Sequence, residues 1–207
     1  MGKLYFRYGV MSSAKSATLL TQHFSLTQAG FPVLLIKPET DTRDAGCIQS
    51  RIKGLSAECI TIGKNDKIIP VVMEHMGMYI THGEGKTLPK WILADECQFF
   101  TEEQIDELRA IADNFDINVM CYGLRTDFRT NLFPGSKRLM EIADTIDEIK
   151  LSCPLCGSKA VVNARYDKAN DVVITEGEQV QIGDCEYTPM CHKCYRKRVF
   201  KRFHKNQ

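Results

Sequence analysis

The chain has 207 residues, of which 43% are hydrophobic, and its 27 Lys and Arg against 26 Asp and Glu leave a formal charge of +1. That balance provides no global basic field, which argues against nucleic acid or an anionic membrane as the partner, and no apolar run approaches the ~18 residues of a membrane span. With no secretory leader pattern at the start, the expected location is cytoplasmic, so the nine cysteines are read for metal-ligand spacing rather than for disulfides.

Leu4–Tyr8 is an apolar run that predicts a first strand. It leads into Gly9-Val10-Met11-Ser12-Ser13-Ala14-Lys15-Ser16, which matches the phosphate-loop pattern G-x-x-x-x-G-K-[ST] except that Ala14 replaces the second glycine. Successive N–H groups between a strand and a helix N-terminus form an anion-binding concavity, with Lys15 placed for the β- and γ-phosphates and Ser16 for magnesium. Glycine takes a positive φ freely, whereas alanine there costs about 1–2 kcal/mol. On this segment alone, a stray Lys-Ser pair after an ordinary turn stays open. The helix after the loop is predicted over Ser16–Ala29.

Val33–Lys37 and Cys59–Ile62 read as the next strands, and Thr40–Ser56 between them, rich in charge, glycine and small residues, lacks a clean period and is expected to include a mobile loop. Trp91–Ala94 is an apolar strand ending in Asp95-Glu96. In phosphate-loop enzymes a carboxylate at such a strand end binds magnesium and a neighbour can take a proton from the nucleophile; taken alone, the pair also fits an ordinary strand exit. Thr101-Glu102-Glu103-Gln104 is a capping box that opens a helix to about Phe115. Val119–Tyr122 and Thr145–Ile149 complete the strands. Strands separated by helical crossovers predict an α/β unit with a mainly parallel sheet over 1–150.

From 151 to 207 the texture changes to short alternating runs such as Asp171–Thr175 and to turn residues, a unit too small to be secure without a staple. Cys153-Pro154-Leu155-Cys156 and Cys191-His192-Lys193-Cys194 supply two thiolate pairs that together complete a tetrahedral shell for a structural zinc ion. A redox CxxC is the alternative, and His192 could compete as a ligand. Cys47, Cys59, Cys97, Cys121 and Cys185 are read as small hydrophobes or bystanders, and the basic cluster from Arg196 onward as a solvated tail.

In order along the chain, the loop with Met11, the triplet Asp41-Thr42-Arg43, the segment Asp95-Glu96-x-Gln98-Phe99-Phe100, the run Tyr122-Gly123-Leu124-Arg125-Thr126-Asp127-Phe128-Arg129 with Phe133, and the two CxxC pairs resemble the cytosolic, zinc-containing thymidine kinase family in its bacterial form. The resemblance spans nearly the whole chain. It implies a phosphate-loop ATP-binding α/β domain over 1–150 and a zinc-ribbon-like domain with a lasso loop over 151–207. It further implies an ATP:thymidine 5′-phosphotransferase of pyrimidine deoxynucleoside salvage, acting also on deoxyuridine, with structural Zn²⁺, with Mg²⁺ carried by ATP, with dTTP as feedback inhibitor and with a homotetrameric assembly.

Carried onto this sequence, the resemblance makes Glu96 the general base, with Lys15 and Arg43 neutralising the phosphoryl group in flight. Arg129 is a second candidate, its alternative being an ion pair with Asp127. Gly9 to Ser16 with Asp95, Glu96, Cys97 and Gln98 would bind ATP and magnesium. Met11, Phe99, Phe128, Phe133 and Tyr187 would form the base pocket, Asp41 would meet the sugar hydroxyl, and the main chain of Gln181, Ile182 and Gly183 would read the base edge. Ala14 and Gln181 depart from the family's pattern; Gln181 bears on the fit around the base, and Ala14 in the phosphate loop makes a catalytically impaired nucleotide-binding zinc protein the alternative function. A zinc-ribbon binder of nucleic acid would need a basic surface that the composition does not suggest.

Overall fold

The computed structural model describes residues 1–40, 46–78, 89–177, 179 and 187–205. In chain order the first elements are β1 (Leu4–Gly9), α1 (Lys15–Gln28), β2 (Val33–Pro38), β3 (Cys47–Gln49), β4 (Ser56–Glu58), β5 (Ile60–Ile62) and α2 (Ile68–Met78). They are followed by β6 (Trp91–Ala94), α3 (Glu102–Phe115), β7 (Asn118–Gly123), α4 (Pro134–Ile142) and β8 (Thr145–Ile149). Six of the strands form one sheet in the order β5-β2-β6-β7-β1-β8, and every pairing in it is parallel.

A parallel sheet needs cover on both faces, and the strand residues divide accordingly. Leu34, Ile36, Ile92, Ala94 and Val119 pack with Ile105, Leu108, Ile111 and Ala112 of α3. Their neighbours Leu35, Leu93 and Met120 point the other way, to Leu19, Leu20 and Leu26 of α1. The capping box forms as the sequence implies: Thr101 Oγ1 accepts from the Gln104 N–H at 3.2 Å, and Gln104 Oε1 accepts from the Thr101 N–H at 3.1 Å.

Thr40–Ser56 is not a plain loop. It contains β3 and, at its end, the start of β4, which pair antiparallel with Cys47 opposite Glu58; β5 begins at Ile60 rather than at Cys59. Three-residue strands are too short to give a periodic signal, so nothing in the local pattern marks the pair.

The remaining elements are β9 (Val162–Asp167), β10 (Val172–Ile174), β11 (Tyr187–Met190) and α5 (His192–Lys205). The strands form an antiparallel sheet in the order β10-β9-β11. The basic segment read as a solvated tail is largely α5, docked through Arg198, whose Nε donates to Asp171 Oδ1 at 2.6 Å beside Tyr166. Val162, Ala164, Val173, Met190, Cys153, Cys191 and Tyr195 make the core of this region, and Val10 of the phosphate loop belongs to the same cluster. Among the described residues, no helix is long and apolar enough to cross a membrane.

The order β6-β7-β1 gathers three chain segments at one place. These neighbours are parallel, so their C-terminal ends open at one edge of the sheet, where open α/β sheets hold their ligands. The phosphate loop leaves β1 there, Asp95-Glu96 leaves β6, and the Leu124–Arg129 loop leaves β7.

Candidate nucleotide and nucleoside site

The phosphate loop is built around two left-handed residues, Ser12 with φ 63° and Ala14 with φ 61°. Ala14 is the N-cap of α1 and has no side-chain cap, and α1 carries no acidic residue in its first turn. The helix N-terminus therefore presents its positive dipole end uncapped, as an anion site requires. Gly9 is needed for space, because a Cβ there would strike the Ser13 hydroxyl. Lys15 is buried and folds back over the loop, its Nζ donating to the Val10 carbonyl at 3.0 Å.

Asp95 meets this loop directly: the Ser16 hydroxyl donates to its Oδ2 at 2.7 Å and the Glu96 N–H donates to its Oδ1 at 3.0 Å. Burial pushes the Asp95 carboxyl up to about 6, helped by the charge of Glu96 and opposed by the Ser16 hydroxyl, the Glu96 N–H and Lys15. A carboxylate and a hydroxyl so close are hard oxygen donors of the kind magnesium selects, and a cation here would favour the ionised form. Glu96 is left-handed, with φ 48° and ψ 35°, and turns the chain from β6 into a single 3-10 turn, Cys97–Phe99.

Gln98 is 1% exposed and joins two loops. Its Nε2 donates to Glu96 Oε2 at 2.5 Å, and its Oε1 accepts from the Leu124 N–H at 2.9 Å. A Cβ on Gly123 would sit 2.6 Å from Gln98 Oε1 and from Cys97 Sγ, so glycine at the end of β7 lets the two loops approach. The Cys97 side chain is fully buried in the core, which leaves only its main chain available to a ligand.

Phe99 and Phe133 meet edge to face, 5.8 Å between centroids and 77° between planes. Phe128 is buried beneath the Arg165 guanidinium, whose carbon lies 3.6 Å from the ring centroid. Arg165 Nε donates to the Tyr187 hydroxyl at 2.9 Å, so one buried cation orients both rings. For Arg129 the ion-pair alternative is the one observed: its Nε lies 3.7 Å from Asp127 Oδ2. Asp127 also accepts from the N–H groups of Arg129 and Asn131, both at 2.9 Å, and from Gln179 Nε2 at 3.1 Å. Asp41, Arg43, Gln181, Ile182 and Gly183 lie outside the described residues, as does Cys185.

The Sγ atoms of Cys153, Cys156, Cys191 and Cys194 all lie within 4.8 Å of one another. Zinc–sulfur bonds of about 2.3 Å in a tetrahedron place sulfurs about 3.8 Å apart, so the cluster fits a metal ion. Hydrogen bonds from Ser158 and the neighbouring thiols pull the Cys156 thiol down to about 6. His192 is the first residue of α5 and rests against the Tyr195 ring, 6.2 Å between centroids; it is not among the four.

A family model described as thymidine kinase matches residues 2–195. The chain belongs to the thymidine kinase family. A thymidine kinase of Rhodopirellula baltica is 37% identical over 204 residues, covering 98% of this chain and 92% of the relative. Thymidine kinases of Streptococcus agalactiae serotype Ia and Streptococcus pyogenes serotype M3 are each 38% identical over 197 residues, covering 94% of this chain and 97% of each relative. Among solved structures, a DnaA replication initiator aligns at TM-score 0.42 and 18% identity, over 72% of this chain and 41% of its own.

As a thymidine kinase family member, the chain is a phosphotransferase. Two residues at its site are not marked by the sequence pattern, Asn163 and Arg165, both on β9 and both 3% exposed. The alternation Val162-Asn163-Ala164-Arg165 reads as a strand with a solvated polar face. That face is instead covered by the phosphate loop and the loop after β7.

Proposed function

We propose that the protein transfers the γ-phosphate of ATP to the 5′-hydroxyl of thymidine, and also to deoxyuridine. The observation that carries the assignment of roles is the contact of Ser16 with Asp95 beside Glu96, across three adjacent parallel strands. Glu96, held by Gln98, accepts the proton of the 5′-hydroxyl as that oxygen attacks the γ-phosphorus. Proton removal can lag behind cleavage of the bond to ADP in a loose transition state, so a carboxylate is basic enough. Lys15 and Arg43 balance the charge on the phosphoryl oxygens. Ser16 and Asp95 would hold Mg²⁺, which would supply positive charge to the phosphates of ATP.

The base lies among Met11, Phe99, Phe128, Phe133 and Tyr187, with Asp41 at the sugar and the main chain near Gln181 to Gly183 at the base edge. Residues 1–150 serve as the ATP-binding unit and 151–207 as the metal-binding and lasso unit. The four cysteines would hold Zn²⁺ as a structural ion with no open position. A cytoplasmic homotetramer inhibited by dTTP, with no nucleic acid or membrane as partner, completes the proposal; the assembly and the inhibition rest on the resemblance, the location and the excluded partners on the sequence pattern and the balanced charge. The four groups Lys15, Ser16, Asp95 and Glu96 support turnover over the impaired alternative that Ala14 raised.

A coupled kinase assay with thymidine and Glu96→Gln tests the central role. The variant should lose about 10²- to 10⁴-fold in kcat while binding ATP within a few-fold of wild type. Near-normal turnover would remove Glu96 as the base. Absence of phosphorylation of thymidine by the wild type would end the functional reading.

A further inference from the structure

Successive strand residues face opposite sides of a sheet. In β9, Val162 and Ala164 face the core they share with Val173 and Met190, and Asn163 faces the site. Its Oδ1 accepts from the Met11 N–H at 2.7 Å, and its Nδ2 donates to the Thr126 carbonyl at 3.0 Å. Both partners are main-chain atoms. Met11 sits in the loop between β1 and α1, and Thr126 in the loop between β7 and α4.

A carboxamide carries acceptor and donor on one rigid plane. Only one orientation of Asn163 satisfies an N–H on one side and a carbonyl on the other, so the two bonds fix each other. The bond also commits the Met11 N–H to Asn163, and this sets which amides of the loop remain for phosphate. β9 pairs with β11, which leads directly into the Cys191 ligand knuckle. One buried side chain on this sheet thus spans the loop that would hold ATP and the loop that carries Phe128.

Resting on the thymidine kinase reading above, we propose that Asn163 is a positioning residue that sets the phosphate loop and the Thr126–Phe128 loop at a fixed separation, so that the nucleoside hydroxyl and the γ-phosphate meet in line. It acts through its bonds to the Met11 N–H and the Thr126 carbonyl.

The test is steady-state kinetics of the full chain with Asn163→Asp and Asn163→Leu. Asn163→Asp is nearly isosteric and keeps the acceptor for Met11, but it sets a carboxylate oxygen against the Thr126 carbonyl. Thymidine KM should rise about tenfold, while ATP KM stays within about twofold. Asn163→Leu removes both bonds: both KM values should rise about tenfold and kcat should fall. Metal content at the cysteine cluster and the melting temperature report whether each variant is folded.

A merely structural Asn163 would lower the melting temperature and leave both KM values at wild type, and that result overturns the proposal. Equal rises in both KM values for Asn163→Asp overturn it as well, because the two bonds would then not act on separate loops. Wild-type turnover with thymidine is the independent control: its failure removes the kinase reading and this inference together, whereas normal wild-type turnover with unshifted variants removes the inference alone.

Discussion

Ser16 and Asp95 are 79 positions apart in the chain, yet the hydroxyl of one donates to the carboxylate of the other at 2.7 Å. The contact exists because β1 and β6 flank β7 in a parallel sheet and so end at the same edge. Ser16→Ala should reduce kcat/KM for MgATP by about 10²-fold and raise the magnesium concentration needed for half-maximal rate. The Asp95 carboxyl, deprived of a bond that holds its pKa down, should move further upward. Magnesium titration at fixed ATP is the measurement, and an unchanged requirement would take Ser16 out of the metal-binding role.

Ala14 occupies the left-handed region, φ 61° and ψ 30°, at the N-cap of α1. Alanine there costs about 1–2 kcal/mol, while the greater freedom of glycine in the unfolded chain offsets up to about 1 kcal/mol. Ala14→Gly should therefore raise stability by about 0–1 kcal/mol and leave activity equal or higher. Ala14→Val, β-branched in the same conformation, should lower both. Thermal unfolding and ATP KM check the series; a large loss of activity on Ala14→Gly would mean that the loop depends on the methyl group.

The four clustered cysteines are coupled to the site by packing. Cys153 and Cys191 share a cluster with Val10 of the phosphate loop, and the Tyr195 hydroxyl donates to the Phe128 carbonyl at 3.1 Å. Stripping the metal with a strong chelator should lower the melting temperature and raise KM for thymidine, and adding Zn²⁺ back should restore both. Cys191→Ser should reproduce the stripped state. Full activity in protein shown by elemental analysis to be metal-free would contradict this coupling.

Asp144 precedes β8, and its Oδ2 accepts from the Leu4 N–H at 2.7 Å and from Arg109 Nη1 at 2.5 Å. These bonds, the Arg109 guanidinium first, hold its carboxyl below the usual 3.8. A depressed folded pKa gives stability that is present above the unfolded value and lost as pH falls through the folded one. Because the side chain is 41% exposed, the contribution is small. Asp144→Asn should lower the urea midpoint near neutral pH and flatten its decline below about pH 4; parallel acid limbs for the two proteins would exclude the linkage.

What could be read in the amino-acid order was local. Apolar runs located the six strands of the main sheet within a residue or two, the Thr101–Gln104 spacing located a capping box, and two CxxC pairs located a four-cysteine cluster that fits a metal ion, because each signal lies within a few residues. β3 and β4 escaped because three residues carry no period. In the basic run Arg196 and Lys197 are exposed, as a solvated segment requires, whereas Arg198 docks on Tyr166 of β9 and Asp171 in the turn after it, partners that a local reading does not reveal.

The sequence by itself determined which chemical groups this protein owns: an anion-binding loop with alanine in place of a glycine, two carboxylates at a strand end, an aromatic set and four paired cysteines. Only the tertiary structure decided which of them meet. Parallel neighbouring strands bring Ser16 to Asp95, Gln98 ties Glu96 to Leu124, and Arg129 is paired with Asp127. The polar face of β9, with Asn163 and Arg165, is closed over by the loops it holds. Side-chain periodicity is a property of one strand, whereas the cover on each of its faces is supplied by distant chain, so a polar face reads alike whether it meets water or the two loops of the site.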